Sequence, residues 1–242
     1  MKVFEDELLI RAKDCDLNGT WRLSAVLEAM QEAAGDHSTL LGCGRETIVR
    51  TGIVWVLVRS EVRMDRYPAI GEKVRVKTFP MPVRHRFFPR YYIFTDEQGK
   101  RIGMASTLWV LMDINTRQMA AETALKTPLP DNSDLEAPMG FPAQIEKLAA
   151  WETESRYRAQ YTDLDINQHV NNTRYADWFC NALGTEILRK HEIASVILDY
   201  NAEIRPDQEV RLSLKQDGMK CQLAGFCDQK KSFEIGAVLR ER

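Results

Sequence analysis

Apolar residues recur along the chain with two periods. Leu23, Val26, Leu27, Met30, Ala33, Leu40 and Leu41 fall at helical spacing, and so does a shorter run, Tyr175, Trp178, Phe179, Ala182 and Leu183. An apolar stripe of that kind predicts an amphipathic helix in each place. Elsewhere the period drops to two, as where Val74, Val76 and Thr78 alternate with Lys73, Arg75 and Lys77, the pattern of a strand with one buried face. Strands are predicted over 7–12, 53–64, 72–79, 88–95 and 101–112, then over 154–159, 195–204, 209–215, 219–227 and 232–239. Pro68 to Gly71, Asp96 to Gly99, Pro206-Asp207 and Asp217-Gly218 supply turns between them. The order is β-α-β-β-β-β, twice.

The duplication is also written in the residues. Asp14, Cys15, Asp16, Leu17 and Asn18 align with Asp163, Leu164, Asp165, Ile166 and Asn167 at an offset of 149 positions, Asp16 to Asp165. Each run precedes a helix. Residues 1–125 are expected to form the first repeat and 151–242 the second. The connector, 126–150, is rich in proline and short polar residues. One long helix per antiparallel sheet buries its stripe only against a concave sheet face, which is an α+β arrangement. The expectation is a tandem hotdog, each helix wrapped by a curled sheet, with the two sheets pairing to cover an edge.

Lysine plus arginine number 33 and aspartate plus glutamate 35, so no general field favours nucleic acid or a membrane surface. The opening residues, MKVFEDELLIRA, lack the basic-then-apolar plan of a signal peptide, and no apolar run is long enough to span a bilayer. A cytoplasmic protein without membrane insertion is expected. Cys15, Cys43, Cys180, Cys221 and Cys227 are scattered and odd in number, which argues for packed free thiols rather than disulfides or a metal site.

The two loops differ where chemistry would lie. Asp165, Ile166, Asn167, Gln168 and His169 stand against Asp16, Leu17, Asn18, Gly19 and Thr20. In an extended loop, Asp165, Asn167 and His169 would share one side. An imidazole there accepts a proton near neutral pH, an amide holds water or a carbonyl oxygen, and a carboxylate orients either one. Asn171 or Asn172 would cap the following helix, whose free N–H groups could stabilise an oxyanion. His37, His85 and His191 are read as structural, Asp163 as a turn acid and Cys180 as an inert core thiol.

At this point a family resemblance becomes specific. The stretch YTDLDINQHVNNTRYADW resembles the Asp-x-Asn-x-His-x-x-Asn signature of the acyl-[acyl carrier protein] thioesterases of plants and bacteria, tandem hotdog proteins. RYPAIGEKVRV and WVLMDINTR in the first half also resemble segments of that family. A further acid follows there on the strand after the second helix, and LDYNAEI places Glu203 at its position. Strand alternation independently puts Asp199, Asn201 and Glu203 on one face. Several plant members carry a cysteine directly after this glutamate, whereas this chain has Ile204, so direct water attack is expected rather than a thiol nucleophile.

The resemblance implies hydrolysis of a fatty acyl thioester on acyl carrier protein by Asp165, Asn167, His169 and Glu203. Which of Glu203 and His169 takes the proton is left open. No cofactor or metal is implied, since the substrate brings its own phosphopantetheine arm. The first repeat would hold the acyl chain, with Leu23, Val26, Leu27 and Met30 as lining, and Arg84, Arg86 and Arg90 would dock the acidic carrier. Coenzyme A as carrier, or a hotdog hydratase or dehydratase, are the alternatives; a homodimer is left open.

Overall fold

The computed structural model describes residues 1–149 and 151–242, so the expected end of the connector, Ala150, lies outside the described residues. The first half comprises β1 (Phe4–Leu9), α1 (Leu23–Leu40), α2 (Arg45–Val49), β2 (Ile53–Met64), β3 (Lys73–Pro80), β4 (Phe88–Thr95) and β5 (Arg101–Asp113). The second comprises β6 (Trp151–Arg158), α3 (Arg174–Leu183), α4 (Thr185–Lys190), β7 (His191–Tyr200), β8 (Glu209–Asp217), β9 (Lys220–Cys227) and β10 (Lys230–Glu241). Short turns between consecutive strands enforce antiparallel pairing. The result is one 10-stranded sheet in the order β1-β3-β4-β5-β2-β7-β10-β9-β8-β6. Reversing the second half maps β6, β8, β9, β10 and β7 onto β1, β3, β4, β5 and β2. The halves join where β2 pairs with β7, from Arg59 opposite Asp199 to Arg63 opposite Ser195, which covers an edge of each half.

Both long helices lie on the same face, because their apolar stripes share one continuous core with the inward residues of both half-sheets. α1 buries Val26, Leu27 and Met30, while β3 and β4 contribute Val74, Val76, Tyr92 and Phe94. In the second half Tyr175 of α3 stacks on Phe233 of β10, with ring centroids 4.2 Å apart and planes 7° from parallel. Full burial of such side chains stabilises by roughly 1.5–3 kcal/mol each. Gly225 of β9 makes room for that ring: a Cβ there would lie 2.1 Å from Phe233 Cε1.

Several expectations change on contact with the structure. β1 covers Phe4–Leu9 rather than 7–12, since a 3-10 turn already begins at Ala12. α2 and α4 have 5 and 6 residues, too few for a helical period to register in the sequence. β7 ends at Tyr200 rather than 204, because the N–H groups of both Asn201 and Ala202 donate to Ser232 O and close the ladder. The connector is also more than a solvated link. Asn132 is fully buried, donating to Lys2 O and Pro80 O. Farther on, the Ala143 and Leu148 N–H groups reach Glu61 and Gln222, and Ile145 covers Gly236. By strand alternation with buried Val62, Leu223 and Ile235, those three positions face away from the helices. The connector therefore crosses the outer face.

Candidate active site

The loop before α3 is a tight turn, which corrects the expectation of an extended segment. Leu164 bridges Val170, and between them the Asp165 N–H donates to His169 O and the Gln168 N–H to Asp165 O. Gln168 takes a φ of 62°, a left-handed conformation costing about 1–2 kcal/mol outside glycine. Asp165 Oδ1 accepts the Asn167 N–H at 2.7 Å and Oδ2 accepts Asn167 Nδ2 at 3.4 Å. Its side chain thus holds Asn167, and its hydrogen bond to His169 runs through the backbone. Asp163 is buried and receives the Gln160 N–H and the Tyr157 hydroxyl. Asn171 Oδ1 accepts both the N–H and hydroxyl of Thr173, the residue before α3.

Glu203 arrives from the other side. Beyond β7 the chain turns so that Ile204 O accepts the Val170 N–H at 2.8 Å. The residues just before each of these now face one another, with His169 Nε2 3.3 Å from Glu203 Oε2. Asp199 does not join them: the alternation stops at Tyr200, and its carboxylate grips Arg59 of β2 through both oxygens. Asn201 spends its backbone N–H on Ser232 and lies exposed outside the strand.

Two arginines of the first half complete the arrangement. Arg117, past the end of β5, donates from Nη2 to Glu203 Oε1 at 3.0 Å. Arg45, at the start of α2, donates from Nε and Nη2 to Asn167 Oδ1 at 3.3 and 3.1 Å. The sequence flagged neither. Arg117 closes the family-like segment WVLMDINTR and could have been found there, whereas Arg45 carried no signal because it enters through a helix too short to detect. The site therefore draws on both repeats.

The histidine-less loop repeats this backbone closely. Asp16 Oδ1 accepts the Asn18 N–H, Gly19 takes φ 74° where Gln168 takes 62°, and the Trp21 N–H donates to Pro68 O at 2.9 Å. That places Thr20 at the position of His169 and Tyr67 at the position of Glu203. A cavity of about 250 Å³ remains there, lined by Asp16, Trp21, Leu23, Tyr67, Cys180 and Arg242. Arg242 lies across it, donating to Asp16 and Thr20.

The remaining expected residues separate. Leu23 lines that cavity, while Val26, Leu27 and Met30 are packed in the main core at 0, 4 and 3 % exposure. Arg84 and Arg86 are exposed, the first over the ring of Phe141 and the second donating to Met119 O. Arg90 is not available to a carrier. It points inward from β4 at 6 % exposure and donates to Thr78 Oγ1 and to His37 Nδ1, because alternation puts it on the face of Phe88, Tyr92 and Phe94. Beside it, burial first and the Arg90 charge second push His37 down to about 4. Burial, then Asp177 and Asp16, pushes the Cys180 thiol up to about 12, which leaves it protonated and unreactive. Among the described residues no group of three or more His, Cys, Asp or Glu is placed to hold a metal, and no helix is long and apolar enough to cross a membrane.

Comparisons with known proteins bear on this geometry. Residues 1–123 match the acyl-ACP thioesterase N-terminal domain and residues 146–237 the acyl-ACP thioesterase C-terminal domain. The chain is 25 % identical over 224 residues to oleoyl-acyl carrier protein thioesterase 2, chloroplastic, of Arabidopsis thaliana, an alignment covering 86 % of this chain and 61 % of that protein. It is 27 % identical over 264 aligned positions to the dodecanoyl-[acyl-carrier-protein] hydrolase, chloroplastic, of Umbellularia californica, covering 99 % and 66 %. The chain thus spans less than two thirds of either relative. In fold it is similar to an acyl-ACP thioesterase from Bacteroides thetaiotaomicron, with a TM-score of 0.88, 98 % of each chain covered and 22 % identity, which supports the tandem hotdog architecture. With its two domain matches spanning most of its length, the chain belongs to the acyl-ACP thioesterase family.

Proposed function

We propose that this protein hydrolyses the thioester between a fatty acyl chain and the phosphopantetheine arm of acyl carrier protein, releasing the free acid and the carrier thiol. The observation that carries the proposal is the His169–Glu203 pair, 3.3 Å apart, standing beside Asn167 in the loop that matches the family. The pair takes a proton from water as it attacks the thioester carbon, and returns a proton to the departing sulfur. An N–H of Asn167 stabilises the charge that develops on the carbonyl oxygen. Asp165 positions Asn167 through its two contacts. Ile204, fully buried, stands where a cysteine would be needed for covalent catalysis. No metal or cofactor takes part in this scheme.

The acyl chain is assigned to the first repeat, whose apolar interior comprises the buried α1 stripe of Leu23, Val26, Leu27 and Met30 and a second buried cluster of Cys43, Ile48, Ile53, Phe88, Leu111 and Leu125. Arg84 and Arg86 are assigned to the acidic carrier; buried Arg90 is withdrawn. Free, scattered thiols suit a reducing compartment, and the cytoplasm is the proposed location. A homodimer is compatible with all of this, since the tandem sheet does not depend on a second copy.

Free acid release from a panel of acyl carrier protein and acyl-coenzyme A substrates tests the reading. Faster turnover on carrier protein, weakened by Arg84→Glu with Arg86→Glu, is expected. Equal turnover on coenzyme A would assign the other carrier, and no hydrolysis of either would refute the proposal.

A further inference from the structure

A primary carboxamide can face a substrate with its oxygen or its NH2 group, which are nearly the same shape and opposite in chemistry. At Asn167 the choice is made by charges on both sides. Arg45 sends Nε and Nη2 to Oδ1 at 3.3 and 3.1 Å, and a guanidinium has no acceptor to offer the other face of an amide. Asp165 Oδ2 receives Nδ2 at 3.4 Å, and a carboxylate has no donor. A flipped amide would oppose donor to donor at Arg45 and oxygen to oxygen at Asp165. One Nδ2 hydrogen then remains unengaged among the described residues.

The other repeat supplies a natural contrast. Asn18, at the position of Asn167, also sends Nδ2 to its aspartate, Asp16, at 3.4 Å. Its second Nδ2 hydrogen goes to Leu188 O of α4 at 2.9 Å. α4 and α2 are the corresponding short helices, so each loop receives one group from the short helix of the other repeat. In the histidine-less loop that group is a carbonyl that consumes the amide donor. In the histidine loop it is a guanidinium that consumes the amide acceptor and leaves the donor available.

We propose that Arg45 is a positioning residue: it fixes the polarity of the Asn167 carboxamide so that the unengaged Nδ2 hydrogen serves the thioester carbonyl oxygen. The inference rests on the thioesterase reading above. It makes Arg45, beside Arg117, a contribution of the first repeat to the chemistry that is separate from holding the acyl chain. It also distinguishes Arg45 from a carrier-docking arginine, because the effect passes through Asn167 and is independent of the carrier.

The test is a double-mutant cycle of Arg45→Ala and Asn167→Ala, assayed on acyl carrier protein and on an acyl-pantetheine thioester that lacks the protein. Arg45→Met, which keeps the aliphatic stem, and Arg45→Lys, which keeps the charge, accompany it, with thermal melts to confirm folding. Arg45→Ala and Arg45→Met are expected to lower kcat by roughly 10- to 100-fold on both substrates, the scale of an impaired oxyanion donor, with KM for acyl-pantetheine little changed. Arg45→Lys recovers part of the loss. With Asn167 already alanine, removing Arg45 is expected to have little further effect. Losses that multiply in the double variant would overturn the inference, and so would a rise in KM confined to carrier protein. A wild type active on thioesters with an Arg45→Met variant equally active would overturn this inference alone. A wild type inactive on every thioester would overturn the thioesterase reading and this inference with it.

Discussion

The Val170 N–H donates to Ile204 O at 2.8 Å, and that single backbone bond between two buried residues sets the preceding side chains, His169 and Glu203, against each other. The first repeat contains the same bond, from the Trp21 N–H to Pro68 O at 2.9 Å, and there the preceding side chains are Thr20 and Tyr67. One backbone device serves both repeats; the side chains it carries differ. Threonine and tyrosine in place of histidine and glutamate leave no proton acceptor suited to neutral pH.

Thr20→Ala should therefore leave hydrolysis unchanged within about twofold, because it removes no interaction with the reacting atoms and so leaves the activation barrier as it was. Steady-state rates on the preferred thioester check this, and a loss approaching that of His169→Ala would mean that both repeats carry chemistry.

Arg117 spans the repeats to reach Glu203. The pair is open to water, with side chains 59 % and 37 % exposed, so breaking it should change stability by no more than about 1 kcal/mol. Its contribution is to hold one carboxylate oxygen while the other faces His169. Arg117→Ala is expected to lower kcat about tenfold, the scale of a lost positioning contact, with Arg117→Lys between variant and wild type. Parallel thermal melts should show little shift; a large drop in melting temperature with full residual kcat would make the arginine structural.

His37 should make stability depend on pH. It is fully buried, stacked on Phe4 and facing Arg90. Its folded value of about 4 lies below the ordinary 6.5, so between those limits the unfolded chain binds a proton that the folded chain does not. Stability from this group is complete above pH 6.5 and falls as the pH drops toward 4, by up to about 3 kcal/mol. Urea unfolding at pH 7.5 and 4.5 should show a smaller acid loss for His37→Gln than for wild type. Equal losses would refute the assignment.

Gly225→Ala should be among the more damaging single changes. The added methyl would collide with the Phe233 ring that stacks on Tyr175 of α3, and overpacking of this kind costs typically 1–3 kcal/mol. Because α3 follows the His169 loop, activity should fall along with the melting temperature. An unchanged melting temperature would show that the ring moves aside freely.

The sheet was legible because its strands alternate and its turns carry Pro, Gly and Asp. The doubled order of elements followed from the Asp16–Asn18 and Asp165–Asn167 match. His169 and Glu203 could be named from the loop and from LDYNAEI, but their approach depends on the turn at Gln168 and the end of β7 at Tyr200, which the assumption of extended chain missed. Arg45 and Arg117 reach the site from more than 80 positions away, a separation that no local pattern encodes. Arg90 misled for a related reason. Its neighbours Arg84 and Arg86 lie in an exposed turn, whereas two strand residues into β4 the same side chain points into the core.

The most direct experiment follows carrier thiol release from acyl carrier protein by wild type, His169→Ala and Glu203→Ala, each confirmed folded by its melting curve. Release by the wild type, reduced roughly 10²- to 10⁴-fold in both variants as for a lost general acid or base, is the predicted result. Near-wild-type release by either variant would contradict a hydrolytic site built on the His169–Glu203 pair.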